Sequence, residues 1–157
     1  MFFADPAAAF RNIRGALKPS GRLVFACWAP LAENRHWLIS YDIALRHLGP
    51  PAPPAHEPGP LAFGDPDYIR QVLAAAGFAE VAVERAHPTI ICGAPEEETR
   101  QAVMMGPTAR LIEAKNPDEA TRQTIAHEIE AAFAAEASSG PIRLPATIFL
   151  VAARRPL

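Results

Sequence analysis

The first 28 residues predict a complete helix–turn–strand unit, and this unit constrains the fold more than any other part of the chain. Asp5 can accept a hydrogen bond from the first turn of a helix, and Pro6 loses no backbone bond at the next position. Pro19 and Gly21 then end the helix. Leu23–Trp28 is continuously apolar, which is typical of a strand in a parallel sheet that is covered on both faces. The segment therefore predicts an α/β fold.

The same kind of helix start returns in the middle of the chain. Phe63-Gly64-Asp65-Pro66 repeats the Phe-x-Asp-Pro pattern of residues 3–6 and predicts a second helix that ends at Gly77. Alternating valines then predict a half-exposed strand over Val81–Ala86, which could extend toward Cys92. The two repeats thus predict two helix–strand units.

The remaining segments predict further helices and one more strand. Ala146–Ala153 is strongly apolar, and an unbroken apolar run favours a central position in the sheet. Pro50–Pro60 contains six prolines and predicts a stiff, extended loop. Helices are expected over about Asn34–Leu48, over Pro95–Ala114 with an interruption at Gly106-Pro107, and from Asn116-Pro117 to about Ala137.

In this order, the segments resemble the C-terminal half of a class I S-adenosylmethionine (SAM)-dependent methyltransferase of the ubiquinone/menaquinone-biosynthesis type. The pieces that carry the resemblance are LKPSG before the first strand, FGDPDYIRQVLAAAGFAEV over residues 63–81, and ATIFLVAARRP over residues 146–156. The resemblance implies half of a Rossmann-like sheet with three strands flanked by helices, the last strand antiparallel and central. It also implies a single domain over residues 1–157, with a helical insertion at about 93–137 that covers the substrate site.

The resemblance implies methyl transfer from SAM to a small-molecule acceptor in the full-length family. That family holds SAM with a G-x-G-x-G loop and with an acidic residue that binds the ribose, and neither has a matching position here. No cofactor-binding residue can therefore be carried over, and this chain alone is expected to bind no SAM. Two other hypotheses are a non-enzymatic binding or assembly module and the product of a truncated gene, which the DNA upstream of Met1 would distinguish.

Three aromatic residues are candidates for a substrate pocket: Phe2, Trp28 and Trp37. By the resemblance, Phe2 follows strand four of the family and Trp28 ends strand five, where α/β sheets place their ligands. They could form a wall for a small apolar or aromatic acceptor, and ordinary core packing is the alternative. No catalytic residue is identified. The histidines at positions 36, 87 and 127 lack the spacing of metal ligands.

Composition indicates which kinds of partner and which cellular compartment to expect. The net charge is −2 and the basic residues are scattered, which argues against a nucleic-acid partner. Arg154–Arg155 is expected to be a solvated end. Cys27 and Cys92 lie in apolar segments, which predicts two buried, reduced thiols in a cytoplasmic protein. No apolar run approaches the ~20 residues of a membrane span.

The resemblance also implies self-association. In the family, strand four lies beside the strand that corresponds to Leu23–Trp28. Without that neighbour, the strand has an unsatisfied edge, and an uncovered apolar edge is a template for pairing with another chain. The chain is therefore expected to dimerise, to pair with a partner, or to be poorly soluble.

Overall fold

The computed structural model describes residues 1–51, 58–137 and 140–157. These form two compact units. We call residues 1–33, 58–88 and 147–157 the sheet unit, and residues 34–51, 89–137 and 140–146 the helical unit. The expectation of a single domain stays a prediction. Most of the proline loop of residues 50–60, and residues 138 and 139 after the helix expected to end at about Ala137, lie outside the described residues.

The described residues alternate helices and strands. The helices are α1 (Pro6–Ala16), α2 (Arg35–Leu48), α3 (Pro66–Ala75), α4 (Pro95–Met104), α5 (Gly106–Lys115) and α6 (Glu119–Glu136). The strands are β1 (Arg22–Trp28), β2 (Ala79–Ala86), β3 (Thr89–Ile91), β4 (Arg143–Pro145) and β5 (Ile148–Arg154). None of the helices in the described ranges is long and apolar enough to cross a membrane.

Both Asp-Pro pairs start helices, as their residue types predict. The Asp5 carboxylate accepts a hydrogen bond from the backbone N–H of Ala8 at 2.8 Å and begins α1. The Asp65 carboxylate accepts one from the N–H of Asp67 at 2.9 Å and begins α3. Each side chain satisfies a first-turn donor that the helix itself cannot pair.

β5 lies between β1 and β2 and runs antiparallel to both. Val151 is the register partner of Phe25 on one side and of Val83 on the other. The apolar run near the end of the chain thus occupies the centre of the sheet, the position that its composition favours. The strand begins at Ile148, two residues later than the apolar pattern indicates.

The expected extension of β2 toward Cys92 is wrong. β3 belongs to a separate two-stranded sheet in the helical unit, where Ile90 pairs in register with Leu144 of β4. The break has a local cause, because Pro88 has no N–H to donate to a ladder. The described residues therefore form two sheets rather than one.

The expectation that β1 is covered on both faces is also wrong. α1 and α3 pack on one face of the three-stranded sheet, where Phe10, Leu73 and Val151 belong to one buried cluster. The opposite face is open, with Val24 60% exposed and Leu150 44% exposed. The sheet unit therefore has a two-layer core and an apolar surface that its own helices do not cover.

The helical unit has its own core. α6 contributes Ile125, Ile129 and Phe133, which are all fully buried, and residues of α2 and α5 belong to the same cluster. The helices expected within residues 93–137 are α4, α5 and α6. The interruption between α4 and α5 falls at Met105, whose extended backbone ends one helix and begins the next.

Of the two arginines expected at a solvated end, Arg154 is exposed and Arg155 is not. Arg154 Nε lies 3.0 Å from a carboxylate oxygen of the exposed Glu80, whereas the Arg155 guanidinium contacts the last turn of α1. For Arg155 the expectation was wrong because the carbonyl groups at the end of a helix are short of intrahelical donors and attract a cation.

Candidate functional site

The three aromatic residues of the expected pocket have different surroundings. Phe2 is 69% exposed, while Met1 beside it packs against the core of the sheet unit and accepts a hydrogen bond from Gly59 N at 3.0 Å. Trp28 ends β1 and is half-buried, in register with Ile148. Trp37 is half-buried in the first turn of α2, in the helical unit. The structure thus places Phe2 and Trp28 in one unit, and a pocket of all three stays a prediction.

The two cysteines are free and buried, as predicted. Burial raises the pKa of the Cys27 thiol to about 11, and its Sγ lies 3.9 Å from the carbonyl oxygen of Phe63. Burial, and then the charge of Glu98, raise the pKa of Cys92 to about 11 as well. A nucleophilic cysteine needs a lowered pKa. Both thiols therefore stay protonated at neutral pH and are packing residues.

The histidines make separate local contacts. The His36 ring lies 4.8 Å from the Trp37 ring between centroids, and burial lowers the pKa of His36 to about 4. His87 Nδ1 lies 3.2 Å from the Thr147 hydroxyl, and His127 is exposed on α6. Among the described residues, no group of three His, Cys, Asp or Glu side chains could hold a metal ion.

The open face of the three-stranded sheet is the feature that sequence reasoning missed. We define the open sheet face as the outward side chains of Val24, Ala26, Ala82, Leu150 and Ala152. Alternate residues on β1 and β5 point to opposite faces, and on both strands the two sets are mostly apolar. The sequence shows that both faces of these strands are mostly apolar, but it does not indicate which face is left uncovered.

A cleft of about 280 Å³ opens at one end of this face. It is lined by Arg22, Glu80, Ala82, Ala152, Ala153 and Arg154. Glu80 has a φ of +50°, where the register of β2 against β5 shifts between Ala79 and Ala82. The bulge turns the Glu80 carboxylate to Arg154, so the ion pair compensates both charges at the rim.

Comparison with known proteins does not assign the chain to a family. No protein-family model matches the chain, and no curated protein matches it. Solved structures do match, among them a protein from Bacillus halodurans C-125 that is assigned provisionally as a methyltransferase, with 16% identity and a TM-score of 0.47. The match covers 99% of this chain and 65% of that protein, so the chain spans less than two thirds of its length. A similarity of this degree assigns no function.

Proposed function

We propose that these 157 residues build the substrate-side part of a class I SAM-dependent methyltransferase fold. One observation carries the proposal: β5 lies antiparallel between β1 and β2, so that these two strands run parallel to each other. A capped helix precedes each of them, α1 before β1 and α3 before β2. Two parallel helix–strand units joined by a central antiparallel last strand are what the resemblance implies for this part of the fold.

The reaction of the full fold would be methyl transfer to a small apolar or aromatic acceptor. Such a transfer depends mainly on the in-line positioning of nucleophile and methyl group, so it needs few catalytic side chains. In the sheet unit, Phe2 and Trp28 would offer apolar surface to the acceptor. Trp28 stands at the carboxyl end of β1, where α/β sheets bind ligands.

The residues present do not fit SAM. A nucleotide-type cofactor is held by a glycine-rich turn between a strand and a helix. β1 is followed by Ala29, Pro30 and a 3-10 turn at Leu31–Glu33, without a glycine. Gly21 serves the turn before β1, since a Cβ there would lie 2.7 Å from the Lys18 carbonyl oxygen. We therefore propose that this polypeptide alone binds no SAM.

Calorimetry tests the proposal on the SAM side. Titration of SAM into the purified 157-residue protein should give no binding heat at micromolar concentrations. Each charge-assisted hydrogen bond that is not made forfeits about 1.5–3 kcal/mol, and every 1.4 kcal/mol is about tenfold in affinity. Micromolar binding of SAM would overturn the proposal.

Fluorescence tests the acceptor side. Titration with a small aromatic probe such as 1-naphthol should quench Trp28, measured in a Trp37→Phe background. The matched Trp28→Phe protein reports on Trp37 alone. Quenching that is equal in both backgrounds, or absent from both, would contradict an acceptor surface at the end of β1.

A second candidate is a binding or assembly module without catalysis. The open sheet face favours it, because soluble proteins rarely leave a contiguous apolar patch uncovered unless it binds something. The SAM titration does not distinguish this candidate from the first one, but a measurement of association does.

A further inference from the structure

The open sheet face carries opposite charges at two diagonal corners. Ala152 is the register partner of Val24 on one side and of Ala82 on the other, so it marks the middle of the face. Arg22 lies two residues before Val24, and Glu84 lies two residues after Ala82. Because β1 and β2 run parallel to each other, these two exposed side chains lie on the same face, diagonally across Ala152, and one further row (Trp28, Ile148 and Ala86) continues the face beyond Glu84.

In the parts of the chain that the structure describes, no ion pair joins Arg22 or Glu84 to another residue, whereas Arg154 is paired with Glu80. Arg154, the register partner of Arg22, lies on the same face beside that corner with its charge paired to Glu80, and the centre of the face is apolar, with Val24 and Leu150 exposed. The face is therefore an apolar centre flanked by one positive and one negative corner.

We propose that the open sheet face binds a second copy of this chain, face to face, about a two-fold axis near Ala152. A two-fold axis in the plane of the interface, perpendicular to the diagonal, exchanges the two corners. It places Arg22 of each copy opposite Glu84 of the other copy, and it brings the two apolar centres together. An interface formed by the same patch on both copies requires this kind of self-complementarity. Such a dimer would form through the side chains of the sheet alone, whether or not the chain has a methyltransferase origin.

The size of the face sets the expected strength. Three strands spaced about 4.8 Å apart, with seven residues rising about 3.4 Å each, give a face of about 14 by 24 Å. This is roughly 340 Å², well below the ~800 Å² per partner of a standard interface. The dimer should therefore be weak, and its population should depend on protein concentration.

The test is a charge swap followed by sedimentation velocity over a range of protein concentrations. Arg22→Glu alone and Glu84→Arg alone should each weaken dimerisation about tenfold, because two symmetric pairs become repulsive in each case. The double variant R22E/E84R should restore the wild-type dissociation constant. The matched control is Arg11→Glu on α1, which is exposed and lies outside the open sheet face; it should change nothing.

The outcomes separate this inference from the alternatives. A protein that stays monomeric at the highest soluble concentration overturns it. A dimer that both single reversals leave intact also overturns it, and indicates pairing along the edge of β1 instead. Circular dichroism on each variant shows that the fold is kept, since both altered side chains are exposed.

Discussion

Arg155 Nη1 lies 3.1 Å from the carbonyl oxygen of Arg14, and 3.2 Å from that of Gly15. These carbonyl groups belong to the last turn of α1, where backbone donors are few, and the Arg14 oxygen also accepts a hydrogen bond from the N–H of Leu17 at 3.2 Å. A guanidinium at this end also faces the negative end of the helix dipole. The backbone N–H of Arg155 donates to Gly21 at 2.9 Å, so the C-terminal segment is fixed to the turn before β1 as well.

Replacing Arg155 by glutamine should destabilise the protein. The variant loses charge-assisted hydrogen bonds to carbonyl groups at the end of α1, so the free energy of unfolding should fall by about 1–3 kcal/mol. The matched control is Arg154→Gln, which removes an exposed ion pair to Glu80 and should cost less than about 1 kcal/mol. Urea denaturation of both variants measures the difference, and equal losses would contradict the role of Arg155 as a cap.

Two adjacent residues of β5 should respond very differently to truncation. Phe149 is 1% exposed in the core of the sheet unit, and Phe149→Ala should cost about 3–5 kcal/mol. Leu150 points to the open sheet face, and Leu150→Ala should cost less than about 1.5 kcal/mol. Urea denaturation at low protein concentration, where self-association does not contribute, gives both values. A Leu150 cost as large as that of Phe149 would mean that the second face is covered.

The proximity of His36 to Trp37 gives an optical measure of a shifted pKa. A protonated imidazole quenches a neighbouring indole, and burial lowers the pKa of His36 to about 4. In a Trp28→Phe background, the fluorescence of the folded protein should therefore fall with a midpoint near pH 4, well below the usual 6.5 of histidine. His36→Asn should abolish this step. A midpoint near 6.5 would contradict the burial of the ring.

The same shift makes stability depend on pH. The unfolded chain takes up a proton at His36 as the pH falls through about 6.5, whereas the folded protein resists until about 4. The contribution of neutral His36 to stability is therefore present above pH 6.5 and is lost between pH 6.5 and 4. Urea denaturation across this window should show a shallower loss for His36→Asn than for the unaltered protein. Equal slopes for the two proteins would contradict the assignment.

Cys27 should lower the stability of the folded protein only at alkaline pH. Burial raises its pKa from 9.0 to about 11, so the unfolded chain ionises this thiol first as the pH rises. The stability that comes from the protonated thiol is complete below pH 9 and disappears between about pH 9 and 11. Cys27→Ala should lose less stability across that interval. A variant that loses as much as the unaltered protein would contradict the shift.

Local chemistry accounts for what the sequence could predict. Asp5 and Asp65 mark helix starts because a carboxylate cap and a following proline act within one turn. The strand that contains Phe149 could be predicted because an unbroken apolar run of this length is typical of a strand at the centre of a sheet. Each of these signals is complete within a few neighbouring residues.

The features that sequence reasoning missed depend on contacts between distant residues. β3 and β4 have three residues each, and the pairing of Ile90 with Leu144 joins segments that no local pattern connects. The cap from Arg155 to Arg14 joins residues that are 141 positions apart in the sequence. The surroundings of Phe2, Trp28 and Trp37 likewise depend on packing, so the residue types alone could not distinguish a pocket wall from core packing.

Every pairing in the three-stranded sheet involves β5, which follows β1 and β2 along the chain. Arg22 finds its register partner, Arg154, only after the long segment between them has been made. During synthesis on the ribosome, β1 and β2 therefore remain apolar segments without a partner strand until β5 is made. Pairing with β5 closes long loops of chain, which is slow. A chain that stops short of Ile148 would keep both segments unpaired and prone to aggregate.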